Sequence, residues 1–136
     1  MDKDFLNKYL SDFSELMRPD DLILDQLIEI KEALIDASSK GNKGLIFGNG
    51  GSAAIASHFS VDLTKNASIR CLNLNESDLI TCFANDYGFE KDNPLRKSGD
   101  INLWVNSKAY NYVENLHQIW LLALVDLVIG NKEYSA

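Results

Sequence analysis

Positive charge is scarce in this sequence: 13 Lys and Arg stand against 20 Asp and Glu, for a net charge of −7. The basic residues do not cluster, so no surface for a nucleic-acid backbone is expected. Cysteine is also rare. Cys71 and Cys82 sit inside apolar patterns and match no metal-ligand spacing, so they read as two reduced core thiols. No apolar run reaches membrane length. The most apolar segment, Leu116 to Ile129, is shorter than a span and carries His117, Gln118 and Asp126. The opening Met1-Asp2-Lys3-Asp4 is too acidic and polar for a secretory signal, and a cytoplasmic location is expected. Neither a repeat nor a low-complexity tract occurs. The hydrophobic share of 46% and charged share of 24% are those of an ordinary globular domain, and 136 residues suffice for one domain with a real core.

Against this background one stretch stands out. Leu45-Ile46-Phe47 reads as a short buried strand, and Gly48-Asn49-Gly50-Gly51-Ser52 follows at once. A small-residue run suited to a helix comes next, from about Ser52 to Lys65. Glycines at such a turn allow close backbone approach to a ligand, and its N–H groups with the helix dipole favour an anion such as phosphate. The turn alone fits a ligand-free strand-to-helix connection equally well.

The rest of the chain frames that stretch. Residues 2–17 place Phe5, Leu6, Tyr9, Leu10, Phe13, Leu16 and Met17 at helical spacing, ending before Pro19. Asp20 or Asp21 caps a second helix, whose broad apolar face (Ile23, Leu27, Ile30, Leu34, widened by Leu24, Ile28 and Ile35) suits packing on two sides. Gly41 fits the position just past its end. Downstream, Ile69 to Leu74 predicts a second strand, and Asn75 to Asp78 the start of another helix, carrying Leu79, Ile80, Cys82 and Phe83 inward. The alternation in Ile101 to Val105 predicts a third strand, and Asn106-Ser107 caps a final helix stopped by Gly130. Trp104, Tyr110, Tyr112 and Trp120 read as core or interface aromatics. The expected fold is α/β: residues 1–40 form two N-terminal helices and 44–130 a parallel-sheet body within a single domain, 1–136.

Two residue pairs carry candidate chemistry. His58 and Asp62 are four apart and share one helix face, where they can ligate a divalent metal, exchange a proton, or simply form a solvated pair. Asn85-Asp86 can contact a substrate or merely turn the chain.

In order, Asn49-Gly50-Gly51-Ser52, His58-Phe59-x-x-Asp62, Ala84-Asn85-Asp86-Tyr87-Gly88 and Val113-Glu114-x-x-His117 form a pattern similar to the SIS (sugar isomerase) domain family, and specifically to its phosphoheptose isomerase branch. The resemblance covers nearly the whole chain. It implies a three-layer αβα parallel sheet of the flavodoxin-like or Rossmann-like kind. The chain departs from the family where Phe89 to Pro94 joins its flanks directly, without the Ser-rich loop that forms the family's main phosphate cradle. A shortened sheet of about three strands instead of five is therefore expected.

The resemblance also implies an activity: conversion of sedoheptulose 7-phosphate to a heptose 7-phosphate through an enediolate, for surface-polysaccharide or nucleotide-sugar synthesis. Asp62 stands where the family has its catalytic Glu, and His58 where it has a zinc ligand. Asn49, Gly50, Gly51, Ser52, Asn85 and Asp86 fall on substrate-contact positions. Glu114 takes the place of a Gln that touches metal and substrate. Zinc would then be held by His58, Asp62 and Glu114, while Leu122 occupies the position of the family's second zinc-binding His. His117 offers a substitute acid or ligand, or a hydrogen-bonded His at a helix edge. A homotetramer or homodimer is implied, with no direct contact to nucleic acid or membrane. The alternative reading is a catalytically impaired SIS module that binds a sugar phosphate or a protein partner.

Overall fold

The computed structural model describes residues 2–48, 50–75, 99–101 and 103–132. Asn49, Cys82, Asn85, Asp86 and the helix expected after Asn75 lie outside the described residues. The described elements run α1 (Asp2–Leu16), α2 (Asp21–Ser39), β1 (Gly44–Ile46), α3 (Gly51–Lys65), β2 (Cys71–Asn73) and α4 (Tyr110–Ile129). They make a helix-rich α/β arrangement around a small parallel sheet.

Local chemistry sets several boundaries where the sequence places them. Asp20 accepts a hydrogen bond from the Ile23 N–H at 2.9 Å and so caps α2. At the other end Gly41 turns left-handed, with φ +74°, and its N–H reaches the Ser38 carbonyl. Gly130 closes α4 in the same way, with φ +81° and its N–H on the Asp126 carbonyl at 2.7 Å. The start of α4 differs from expectation. Its N-cap is Ala109, and the Ser107 hydroxyl instead accepts from the Ala109 N–H at 3.1 Å, closing a turn just ahead of the helix.

The strands β1 and β2 pair in parallel with Leu45 opposite Leu72 and Ile46 opposite Asn73. Because side chains alternate, only one face of β1 meets α3. Ile46 packs on the core, while Leu45 and Phe47 are exposed, which corrects the reading of 45–47 as a wholly buried strand. The expected third strand is absent among the described residues of 101–105. Its alternation is real: Val105 is buried and Trp104 exposed. Val105 serves a helix interface instead of a sheet, packing with Leu27, Leu116 and Trp120.

Helix α4 is the centre of the molecule. It is long and apolar enough to cross a membrane by length and composition, since it continues beyond the segment 116–129 marked in the sequence. Its buried residues nevertheless supply both halves of the core. Leu124 and Val125 join Phe59, Leu63 and Ile69, and Leu116 and Trp120 join Leu27 and Val105. Each fully buried Leu or Val contributes roughly 1.5–3 kcal/mol of transfer free energy. Helix α1 buries no residue completely. It is tied to α4 through Tyr112, which donates to the Tyr9 carbonyl at 2.9 Å and packs edge-on against the Tyr9 ring at 4.8 Å. Leu24, Ile28 and Ile35 of α2 stay exposed in the single chain, beside the partly buried Ile23, Ile30 and Leu34.

Candidate active site

The glycine turn leaves the end of β1 and enters α3 through Gly50, an N-cap with φ +59° and no side chain to offer. Gly48 is held to that identity by backbone contact, and Gly51 faces the end of a side chain from α4. A Cβ at Gly48 would stand 2.1 Å from the Ser52 carbonyl oxygen, inside the turn itself. A Cβ at Gly51 would lie 2.6 Å from Glu114 Oε1 and 2.7 Å from Oε2. The carboxylate of Glu114 therefore lies flat against the first residue of α3, close to the positive end of the helix.

The turn is braced from the segment just past β2. Asn75 Oδ1 accepts from the Gly48 N–H at 3.2 Å, and its Nδ2 donates to the Ala53 carbonyl. One side chain thus joins both arms of the turn. Beside it Asn73 donates to the Ser57 hydroxyl, which donates in turn to the Ala53 carbonyl at 3.0 Å. Asn73 Oδ1 is buried without a partner among the described residues.

An open cavity of about 280 Å³ lies between α3 and α4, lined by Gly51, Ile55, His58, Glu114, Asn115 and Gln118. His58 is on its wall. Its Nε2 is 3.1 Å from Asp62 Oδ2, and the His side chain is 53% exposed against 16% for Asp62. The second Asp62 oxygen, Oδ1, accepts from Asn66 Nδ2 at 3.2 Å. Asp62 is thereby turned toward His58 and Asn66, one helical turn back from the cavity, and the imidazole stands between them. An imidazole that directs Nε2–H at a carboxylate keeps its lone pair on Nδ1.

A second cavity, about 200 Å³ and mostly apolar, lies on the other side of Ile55 and is lined by Phe47, Ser52, Leu103, His117 and Trp120 among others. Burial pushes the His117 pKa below its ordinary value, against a smaller opposing pull from the Glu114 charge. The ring of His117 lies 6.3 Å from that of Trp120. The fold thus brings His58, Glu114 and Gly51 to one cavity, sets Asp62 behind His58, and sends His117 and Ser52 to another.

The donors expected for zinc are not gathered. Among the described residues no group of three or more His, Cys, Asp or Glu side chains is close enough to hold a metal ion. His58 and Asp62 are engaged with each other and Glu114 lies on Gly51. As they stand in the single chain, these residues do not form a ready metal cage.

Two residues escaped the sequence reading. Gln118 lies one turn beyond Glu114 on α4 and faces the same cavity, a spacing that could have been noticed. Asn75 gave no such signal, because its partner Gly48 is 27 positions away.

No family model matches the chain. Curated proteins do. A probable phosphoheptose isomerase of Thermoplasma acidophilum is 34% identical over 109 residues, covering 70% of this chain and 59% of that protein. A phosphoheptose isomerase of Trichlorobacter lovleyi is 37% identical over 94 residues, covering 64% and 48% respectively. Phosphoheptose isomerase 1 of Campylobacter jejuni is 29% identical over an alignment of 140 positions, covering 93% and 75%. Against the first two, the chain spans about half to three-fifths of the relative's length.

Proposed function

Because this chain belongs to the phosphoheptose isomerase branch of the SIS family, we propose that it isomerises a phosphosugar between ketose and aldose, with sedoheptulose 7-phosphate as the substrate. The observation that carries the reading is the His58–Asp62 contact of 3.1 Å beside a cavity that also holds Gly51 and Glu114. Isomerisation needs a base that takes a proton from the carbon next to the carbonyl and returns one to the neighbouring carbon. We assign that proton transfer to the pair as a unit. Asp62, at the position of the family's catalytic Glu, faces Nε2 of His58 and orients the ring, so that Nδ1 of the imidazole is the atom assigned to meet the substrate. Backbone at Gly50 and Gly51 lines the sugar, and Asn49, Ser52, Asn85 and Asp86 belong to the proposed substrate contacts through the family pattern. His117, the substitute acid or ligand implied by the resemblance, lines the second cavity and is proposed to act from there, across Ile55.

Other parts of the proposal rest on the family alone. They are a cytoplasmic location, a role in making surface-polysaccharide precursors, and a three-layer αβα sheet. A homotetramer or homodimer is supported by the apolar residues that α1 and α2 leave exposed, Phe5, Leu10, Leu24 and Ile28 among them. Zinc held by His58, Asp62 and Glu114 is not needed for the proton transfer as assigned. Its test is the metal content of the purified chain with and without His58→Ala. A second reading, a module that binds sugar phosphate without turning it over, is favoured by Leu122, a partly buried aliphatic residue where the family has a His.

Incubation of sedoheptulose 7-phosphate with the chain in heavy water, followed by NMR, tests the proposal. Deuterium beside the carbonyl, lost in His58→Ala and in Asp62→Asn, is the expected result. Binding without any exchange in the folded wild-type chain would leave the non-catalytic module as the function.

A further inference from the structure

Moving a carbonyl between neighbouring sugar carbons puts negative charge on oxygen, and a base alone does not hold that charge. When His58 takes a proton from C1 of the ketose, the C–H electron pair becomes the C1=C2 bond. The carbonyl pair moves onto O2. The O1 hydroxyl proton then passes to O2, the charge shifts to O1, and the proton on His58 returns to C2 to leave an aldehyde. Each oxygen in turn is stabilised by any N–H group aimed at it.

The side chains around the cavity differ in what they have to donate. Glu114 is a carboxylate, an acceptor that repels an oxyanion. His58 faces Asp62 through Nε2 and handles the transferred proton at Nδ1. Asn115 is committed elsewhere, since its Nδ2 donates to the Asn111 carbonyl at 2.6 Å. Gln118 is left. It lines the same cavity from α4, is partly buried, and makes no hydrogen bond among the described residues. Its Nε2 carries two N–H donors, enough to serve O2 and O1 in succession.

We propose that Gln118 is a catalytic hydrogen-bond donor, whose amide N–H groups stabilise the enediolate oxygens while His58 moves the proton. The proposal rests on the isomerase reading for its reaction.

Turnover of sedoheptulose 7-phosphate by the full chain in heavy water tests it. Gln118→Met keeps the length of the side chain and removes both donors. It should lower kcat for deuterium exchange by about 10²–10³-fold and leave KM within about threefold. Gln118→Ala should show the same loss, and circular dichroism checks that both variants fold. D-altronohydroxamate 6-phosphate, whose planar O–N–C–O group copies the enediolate, supplies a second readout. Gln118→Met should bind it about 10²-fold more weakly than wild type, while binding of sedoheptulose 7-phosphate barely changes. A wild-type kcat in Gln118→Met and Gln118→Ala overturns the proposal and leaves the isomerase reading standing. So does an equal loss of sugar and hydroxamate binding at unchanged kcat, which would make Gln118 an ordinary binding contact. No exchange by the folded wild-type chain overturns both.

Discussion

Asn75 Oδ1 accepts a hydrogen bond from the Gly48 N–H at 3.2 Å, at the point where β1 gives way to the glycine turn. The same amide donates to the Ala53 carbonyl on the α3 side, so the turn is closed from outside by the end of the neighbouring strand. A turn made largely of glycine loses more conformational entropy on ordering than any other, and an external brace offsets part of that cost.

Removing the brace is expected to loosen the turn before it unfolds the protein. Asn75→Ala leaves the Gly48 N–H and the Ala53 carbonyl without their partner and should destabilise by about 1–3 kcal/mol. Asn75→Asp keeps the acceptor and loses the donor, and should fall between wild type and Ala. Urea midpoints for the three proteins check the order, and amide hydrogen exchange at residues 50–53 should rise in both variants. Unchanged exchange there would mean that the glycine turn is held by its own backbone.

The side chain of Leu63 is fully buried, 0% exposed, among Phe59, Ile69, Leu124 and Val125. Leu63→Ala leaves a cavity between α3 and α4 and should cost about 2–5 kcal/mol. The loss is read as a shift of the chemical-denaturation midpoint with the slope unchanged. Leu63→Met, close in volume, should cost less than about 1.5 kcal/mol.

Acidification should act through His117. Burial lowers its folded-state pKa below the ordinary value of 6.5, so the unfolded chain takes up the proton first as pH falls. Its contribution is therefore zero well above pH 6.5 and turns against the folded state between 6.5 and the lowered folded value. Urea midpoints at pH 7.5 and 5.5 should drop further for wild type than for His117→Gln. Equal drops would mean that His117 does not govern acid sensitivity in this range.

Much of the helical framework was legible because its signals are local. Asp20 at the head of α2, Gly41 just past its end and Gly130 at the end of α4 act within a turn of where they stand, and each does what its chemistry dictates. The same holds for the pairing of His58 with Asp62, fixed by the helical repeat. Val105 shows where local reading stops. Its alternating segment has the pattern of a strand, but alternation records only that one face is covered. The cover here is α2 and α4, with no paired strand among the described residues.

By itself the sequence determined the family, the α/β character, the glycine turn and the histidine–carboxylate pair, because periodicity, capping chemistry and motif order need no partner distant in the chain. The tertiary structure alone decided how the polar residues are shared out. The packing of α4 against α3 laid Glu114 on Gly51 and brought Gln118 to the cavity that His58 lines, while it turned His117 to the far side of Ile55 beside Trp120. Those outcomes follow from the rotation of one helix against another, a quantity set by the fit of buried side chains such as Leu63, Leu116 and Leu124, and no spacing along the chain encodes it.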